Sequence, residues 1–78
     1  MLGKPKFKVG DQVSFLWVPK FPKITGEVYI VDKYGTFDDN SDVSYDILAI
    51  VPEWCKQLRA GEQCLFKHIN ERYVEKSD

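Results

Sequence analysis

The sequence is poor in the residues that carry most catalytic and metal chemistry. Its 78 residues include one histidine, two cysteines and one methionine. No stretch approaches the roughly 20 consecutive apolar residues of a membrane span, and residues 1–9 lack the apolar run of a signal peptide. These absences argue against a membrane partner and predict a cytoplasmic protein, in which Cys55 and Cys64 are reduced thiols.

The few chemistry-bearing residues form no recognisable catalytic or metal-binding pattern. Zinc is normally held by cysteines paired at close spacing in the sequence. Here Cys55 and Cys64 are nine residues apart, and the single His68 would have to be a further ligand. Nothing in the chain has the form of a nucleophile elbow, a phosphate-binding glycine loop or a spaced pair of carboxylates. We therefore expect no metal, no cofactor and no enzymatic activity.

What the sequence does contain is a large aromatic set in one short chain. Aromatic residues make up 14% of it, and the apolar fraction is 44%. This composition argues against disorder, and a chain of 78 residues holds one domain. We predict a single domain over residues 1–78, ordered from about residue 7 to about residue 75.

Alternation of apolar residues predicts a mainly β fold of five strands. The predicted strands span residues 8–18, 24–33, 43–51 and 63–69, with a brief fifth strand from Val74. Val9, Val13, Phe15 and Trp17 share the inward face of the first strand. Leu65 and Ile69 are assigned to the inward face of the fourth strand.

The connections between these strands carry turn and helix signals. Pro19 and Pro22 lack the main-chain N–H that pairing between strands needs, so they predict a loop after the first strand. Residues 52–61 begin with proline and end with glycine, which predicts a short helix inserted between the third and fourth strands. An extended hairpin is the alternative for this segment. Residues 70–73 predict a single 3₁₀ turn before the last strand.

Two short motifs mark the first two predicted strands. The first strand opens with the pattern VGDxV, here Val9-Gly10-Asp11-Gln12-Val13. The second strand has the pattern GxVxxV, here Gly26-Glu27-Val28-Tyr29-Ile30-Val31. Together with the tail from Leu65 through Tyr73-Val74, which is similar to a closing strand, 3₁₀ turn and final strand, these motifs resemble the small SH3-like β-barrels, most closely their Tudor, KOW and chromo-like branches.

This resemblance covers residues 7–75 and implies a five-stranded small barrel. Members of the fold bind RNA, DNA, methylated tails, proline-rich peptides or other proteins, so the fold alone selects no function. Segments 17–23 and 52–61 depart from the family pattern, the first through its aromatic and proline content and the second through its length.

The resemblance also implies a binding surface, because the loops after the first and second strands of such barrels adjoin and line the usual groove. The aromatic residues of these loops, with two lysines at their rim, make up the candidate binding site: Trp17, Phe21, Tyr34, Phe37, Lys20 and Lys23. Phe15, Tyr45 and Tyr73 are assigned to the core. In the alternative arrangement, Trp17 and Phe21 cap the open barrel end and Trp54 covers an outer face.

The net charge of −1 conceals an uneven distribution along the chain. Residues 1–23 carry five lysines against Asp11 alone, whereas the charged residues of segment 24–50 are mostly acidic. Either the two segments face each other in the fold, or the lysines form one basic face.

The leading functional hypothesis is a non-catalytic module that binds a protein or peptide, because surplus aromatic residues accompany a near-neutral charge. The alternative is a nucleic-acid-binding module, for RNA more than DNA, that uses the N-terminal lysines. A pI near 5.8 weighs against it, since such domains are typically basic. The small size also permits an accessory protein of a phage or mobile element. The identity of the partner and the oligomeric state are left open.

Overall fold

The structure, a computed structural model, describes residues 5–32 and 43–77. Its elements are β1 (Gln12–Phe15), β2 (Ile24–Asp32), β3 (Ser44–Ile50), β4 (Gln63–Asn70), a 3₁₀ turn (Glu71–Tyr73) and β5 (Val74–Lys76). The strands form one antiparallel sheet in the order β4-β3-β2-β1-β5. The predicted mainly β fold, with five strands and a 3₁₀ turn before the last, is confirmed. Within the two described ranges, no helix has the length and apolar character that crossing a membrane requires.

The inner face of the sheet supplies the core. Val13 and Phe15 of β1 are fully buried, and Ile24 and Val28 of β2 alternate with exposed neighbours. The inward alternation predicted for the first strand is therefore confirmed within β1, but the inward assignment of Val9 is wrong, because Val9 precedes β1 and is 61% exposed. The strand itself begins later than predicted, because Gly10 precedes it in a turn with a φ of 97°.

The sheet curls strongly around this core. Two strands separate β1 from β4 in the sheet order, so a flat sheet with a strand spacing of ~4.8 Å would hold them ~14 Å apart. The ring centroids of Phe15 on β1 and Phe66 on β4 nevertheless lie 5.2 Å apart. The two ends of the sheet therefore fold over one core, a shape compatible with a small SH3-like β fold. The sheet is open, with β4 and β5 at its edges.

Gly26 allows β2 and β3 to approach closely. It pairs with Val13 on β1 and with Ala49 on β3. A Cβ atom at this position would lie 2.5 Å from the carbonyl oxygen of Leu48 and 2.7 Å from the Cβ of Ala49. No side chain fits there without a backbone shift, which explains glycine inside a strand.

A bulge in β4 decides which of its side chains reach the core. The register between β3 and β4 shifts at Asp46, which faces the two bulge residues Lys67 and His68. His68 adopts a φ of 58°, and its main-chain N–H donates to the Asp46 carboxylate at 3.0 Å. Phe66 is consequently buried, and Leu65 is only half-buried on the opposite face. The inward assignment of Leu65 is wrong.

The connection between β3 and β4 is a hairpin loop, and the short helix predicted over residues 52–61 is not confirmed. The N–H of Val51 donates to the carbonyl of Glu62, and the N–H of Gly61 donates to the carbonyl of Val51, both at 2.9 Å. The residues between form turns and bends. These two bonds continue the hydrogen bonding between β3 and β4 past the ends of the strands. Pro52 therefore follows the last paired residue of β3, and Gly61 closes the hairpin instead of capping a helix. The extended-hairpin alternative agrees with this arrangement.

The hydroxyl group of Tyr45 ties three parts of the chain together. This residue of β3 is fully buried, and its Oη donates to the Glu71 carboxylate at 2.5 Å. The same oxygen accepts the main-chain N–H groups of Lys6 at 3.1 Å and Phe7 at 3.2 Å. Burial, followed by the hydrogen bond to Glu71, raises the pKa of Tyr45 to about 12. The hydroxyl therefore stays protonated at neutral pH and holds the 3₁₀ turn against the sheet.

Replacing Gly26 by alanine is expected to lower the free energy of unfolding by about 2–3 kcal/mol, because the added methyl group overpacks a rigid backbone contact. Urea unfolding followed by tryptophan fluorescence measures the loss. Gly61→Ala is the control: nothing lies within 4 Å of a Cβ built at Gly61, so its alanine variant carries only the strain of a positive φ of 87°. A loss at Gly26 no larger than the loss at Gly61 would contradict the close approach of the strands.

Candidate functional site

Two adjoining hollows form a groove where the end of β1 meets β4 and the 3₁₀ turn. The apolar hollow, of about 270 Å³, is lined by Leu16, Trp17, Pro19, His68, Ile69, Asn70 and Tyr73. The charged hollow, of about 230 Å³, is lined by Leu16, Lys23, Arg72, Tyr73, Val74 and Glu75. Leu16 and Tyr73 line both hollows. The two hollows therefore form one continuous surface, which we name the Tyr73 groove.

Trp17 forms one wall of the apolar hollow and also closes the core. Its ring meets Phe66 edge to face, with the ring centroids 5.0 Å apart. It is half-buried and packs against the core cluster. Trp17 therefore covers one side of the core, while the rest of its surface lines the groove.

Tyr73 forms the ridge between the two hollows. Its side chain is 45% exposed, and Val74 is buried next to it at the start of β5. The assignment of Tyr73 to the core is therefore wrong. The carbonyl of Tyr73 accepts the N–H of Leu16 at 3.0 Å, which joins the 3₁₀ turn to the end of β1. The guanidinium carbon of Arg72 lies 5.9 Å from the Tyr73 ring centroid, within cation–π range.

Asn70 shapes the turn from which Tyr73 projects. It is buried, and its side-chain oxygen accepts the main-chain N–H of Arg72 at 2.9 Å and the Nε–H of Arg72 at 3.2 Å. The first bond satisfies a donor at the start of the turn, as helix N-caps do. The second bond orients the guanidinium group. The turn thus presents an aromatic ring and a cation side by side.

The two lysines of the predicted site differ in their contacts. Lys23 lines the charged hollow and forms an ion pair with Glu75, with Nζ and Oε1 2.5 Å apart. Lys20 is exposed next to Pro19, a residue of the apolar hollow. Within the described parts of the chain, no ion pair involves Lys20. Of the two lysines, Lys23 therefore lines the Tyr73 groove, and Lys20 lines neither of its hollows.

Lys20 occupies a strained backbone position. The N–H of Phe21 donates to the carbonyl of Val18 at 3.2 Å, which closes a turn with Pro19 and Lys20 at its centre. The φ of Lys20 is 73°, and a type II turn with proline second normally places glycine third. A lysine at this position is held with backbone strain.

Phe21 belongs to a different surface from Trp17. Its ring stacks on Trp54, with the ring centroids 4.8 Å apart and the planes inclined by 17°. Both rings line a small hollow of about 120 Å³. The two segments that depart from the barrel pattern therefore pack on each other, because the β1–β2 and β3–β4 connections leave the sheet at the same end.

Two members of the predicted site, Tyr34 and Phe37, lie outside the described residues. The predicted proximity of Tyr34 and Phe37 to Trp17 stays a prediction.

A wider hollow lies at the start of β1. It has a volume of about 580 Å³ and is lined by Pro5, Lys6, Phe7, Lys8, Asp11, Gln12, Lys76 and Ser77. Three of these residues are lysines, and the carboxylate of Asp11 accepts the main-chain N–H of Lys8 at 3.0 Å. We name this surface the lysine cleft.

Both cysteines are free thiols. Cys55 is buried and Cys64 is half-buried against the core cluster. Over residues 5–32 and 43–77, histidine, cysteine, aspartate and glutamate side chains form no group of three or more able to hold a metal ion.

Sequence reasoning missed Leu16, Arg72 and Tyr73 as groove residues. One signal was available, because asparagine is a preferred N-cap and Asn70 precedes the predicted 3₁₀ turn. None of the three residues of this turn is buried. Treating the capped turn as a surface feature would have placed Arg72 and Tyr73 outside the core.

Comparisons with known proteins place the chain in no family. No family model, curated protein or solved structure matches it. The functional inference therefore depends on the Tyr73 groove and the lysine cleft themselves.

Replacing Lys20 by glycine is expected to make the protein more stable than replacing it by alanine. Glycine removes the strain of a positive φ, which costs about 1 kcal/mol or more, but adds roughly 0.5–1 kcal/mol of unfolded-state entropy. Because both variants remove the same charge, thermal unfolding of the pair isolates the backbone effect. A Lys20→Gly variant clearly less stable than Lys20→Ala would contradict the turn geometry.

Proposed function

We propose that the protein is a non-catalytic binding module of the SH3-like small-barrel class, and that it binds an extended peptide segment of a protein partner in the Tyr73 groove. The strand order, the antiparallel pairing and the 3₁₀ turn before β5 support the class. The two free cysteines are consistent with the reducing cytoplasm in which we propose that it acts.

The observation that carries the peptide proposal is that Trp17 and Tyr73 line the same apolar hollow. Peptide-binding domains commonly use aromatic-lined grooves, which accept extended segments without requiring them to fold. Tryptophan and tyrosine also dominate the energetics of protein interfaces. The groove offers these side chains on a rigid support, because Phe66 holds Trp17 and Leu16 holds the turn of Tyr73.

Nucleic-acid binding is the second candidate function, and the lysine cleft favours it. Lys6, Lys8 and Lys76 line one open hollow, and Asp11, the acidic residue among them, is engaged by a main-chain N–H. Cationic side chains around an open surface suit a phosphodiester backbone. The pI of about 5.8 makes this the weaker candidate.

The nucleic-acid candidate predicts retention on immobilised single-stranded RNA of mixed sequence at about 50 mM salt, with loss at about 200 mM. Lys76→Glu is expected to reduce that retention, whereas Arg59→Glu, a control at an exposed loop position, leaves it unchanged. Absence of retention at low salt would eliminate this candidate.

The peptide proposal predicts that Tyr73→Ala weakens binding of the peptides that the wild-type protein selects from a random dodecapeptide library. The expected loss is at least about tenfold, or roughly 1.4 kcal/mol, as for an aromatic anchor at an interface. Fluorescence anisotropy of the labelled peptides measures it.

Tyr29→Ala is the matched control for this experiment. Tyr29 is 55% exposed, compared with 45% for Tyr73, and lies on β2 outside both hollows. The control is expected to bind the selected peptides as the wild-type protein does. Equal losses in the two variants, or a library that yields no peptide able to bind in solution, would refute the proposed function.

A further inference from the structure

We propose that the lysine cleft is the second half of the peptide-binding surface, and that the bound peptide places a stretch of aspartate or glutamate there while its apolar anchor lies in the Tyr73 groove. The inference rests on the proposed function and specifies the class of peptide that the protein selects.

The strand β5 connects the two surfaces. Tyr73, directly before this strand, lines both hollows of the groove, and Lys76, its last residue, lines the lysine cleft. At ~3.3 Å per residue of strand, these two positions are ~10 Å apart, which about three residues of an extended peptide span. Because β5 is an edge strand, no other strand of the described sheet separates the groove from the cleft. This continuity favours a peptide over a nucleic acid as the occupant of the cleft.

The cleft presents three ammonium groups that are available to a ligand. Lys6, Lys8 and Lys76 line it, and all three residues are exposed. Among the residues that the structure describes, their side chains form neither an ion pair nor a hydrogen bond. Lysine ammonium groups are compact charges on flexible stems, so they adapt to carboxylates at more than one position of a peptide.

The acidic residue of the cleft and that of β5 are both engaged already. The Asp11 carboxylate accepts the main-chain N–H of Lys8 at 3.0 Å, and Glu75 is paired with Lys23. The cleft lining carries three lysines against one aspartate, in a protein whose net charge is −1. Charge complementarity across an interface chiefly gives specificity and faster association, so the cleft selects among peptides that share an apolar anchor.

Hydrogen bonds hold the main chain of the cleft, so its lysines project from fixed positions. The N–H of Lys6 donates to the Tyr45 hydroxyl at 3.1 Å and to the Glu71 carboxylate at 2.9 Å. The end of β5 is fixed to β1, because the N–H of Ser77 donates to the carbonyl of Gln12 at 3.1 Å. A surface whose backbone is already ordered loses less freedom when it binds.

The test is the charge pattern of the dodecapeptides that the protein selects from a random library, counted over those that Tyr73→Ala fails to bind. Aspartate and glutamate are expected to exceed lysine and arginine at positions about three or more residues from the apolar anchor, which is the reach from the groove to the cleft. A copy of one such peptide with each acidic residue replaced by its amide is expected to bind about threefold to tenfold more weakly, since several exposed charge pairs are lost together. Fluorescence anisotropy measures both affinities.

Two charge reversals in the cleft locate the effect. Lys76→Glu and Lys8→Glu are each expected to weaken the acidic peptide by about threefold or more, because reversal turns an attraction into a repulsion. Neither variant is expected to change the affinity for the amide copy, which distinguishes lost charge recognition from a folding defect. Lys56→Glu is the matched control, because Lys56 is exposed in the β3–β4 connection and lines neither the groove nor the cleft. It is expected to bind the acidic peptide as the wild-type protein does.

The possible outcomes separate the inference from the proposed function. Groove-dependent peptides without an acidic preference, or acidic peptides that Lys56→Glu weakens as much as Lys76→Glu does, would overturn the inference and leave peptide binding intact. A library with no peptide that depends on Tyr73 would overturn both. Single-stranded RNA that loses affinity in Lys76→Glu but not in Lys56→Glu, together with selected peptides that lack acidic residues, would assign the lysine cleft to nucleic acid and overturn the inference.

Discussion

The contact of Phe66 with Phe15 and Trp17 is the interaction on which the rest of the structure depends. Three strand spacings separate β4 from β1 along the sheet, and only strong curling brings these rings within 5.2 and 5.0 Å. Removing a buried phenylalanine costs about 3–5 kcal/mol, a large share of the ~5–15 kcal/mol that stabilises a domain. The same contact holds Trp17, which forms one wall of the groove. The hydroxyl of Tyr45 anchors the 3₁₀ turn that carries Tyr73, which forms another part of the groove lining.

Local pattern was enough to predict much of the fold. Alternation placed Val13 and Phe15 inside correctly, because a strand with one buried face repeats every two residues. The inward side of β4 could not be predicted this way. A bulge at His68 shifts the pattern, and that bulge depends on a long-range hydrogen bond to Asp46. The helix predicted over residues 52–61 failed for a similar reason, since proline and glycine there end one strand and close a hairpin.

The candidate site was predictable only in part, since loop residues meet through tertiary contacts that no local pattern encodes. Trp17 and Lys23 do line the groove. Phe21 stacks instead on Trp54, because two connections leave the sheet at one end. Tyr73 was missed because an aromatic residue directly before a strand is usually assigned to the core. In this structure the 3₁₀ turn directs its side chain outward.

The most direct test of the groove is a ¹⁵N–¹H correlation spectrum of the labelled protein, recorded during titration with a peptide that the protein itself selects. The account predicts that the largest shifts fall on the amides of residues 16–18 and 68–75 and on the indole N–H of Trp17. Shifts confined to residues 5–12 and 76–77, which surround the lysine cleft, would contradict it.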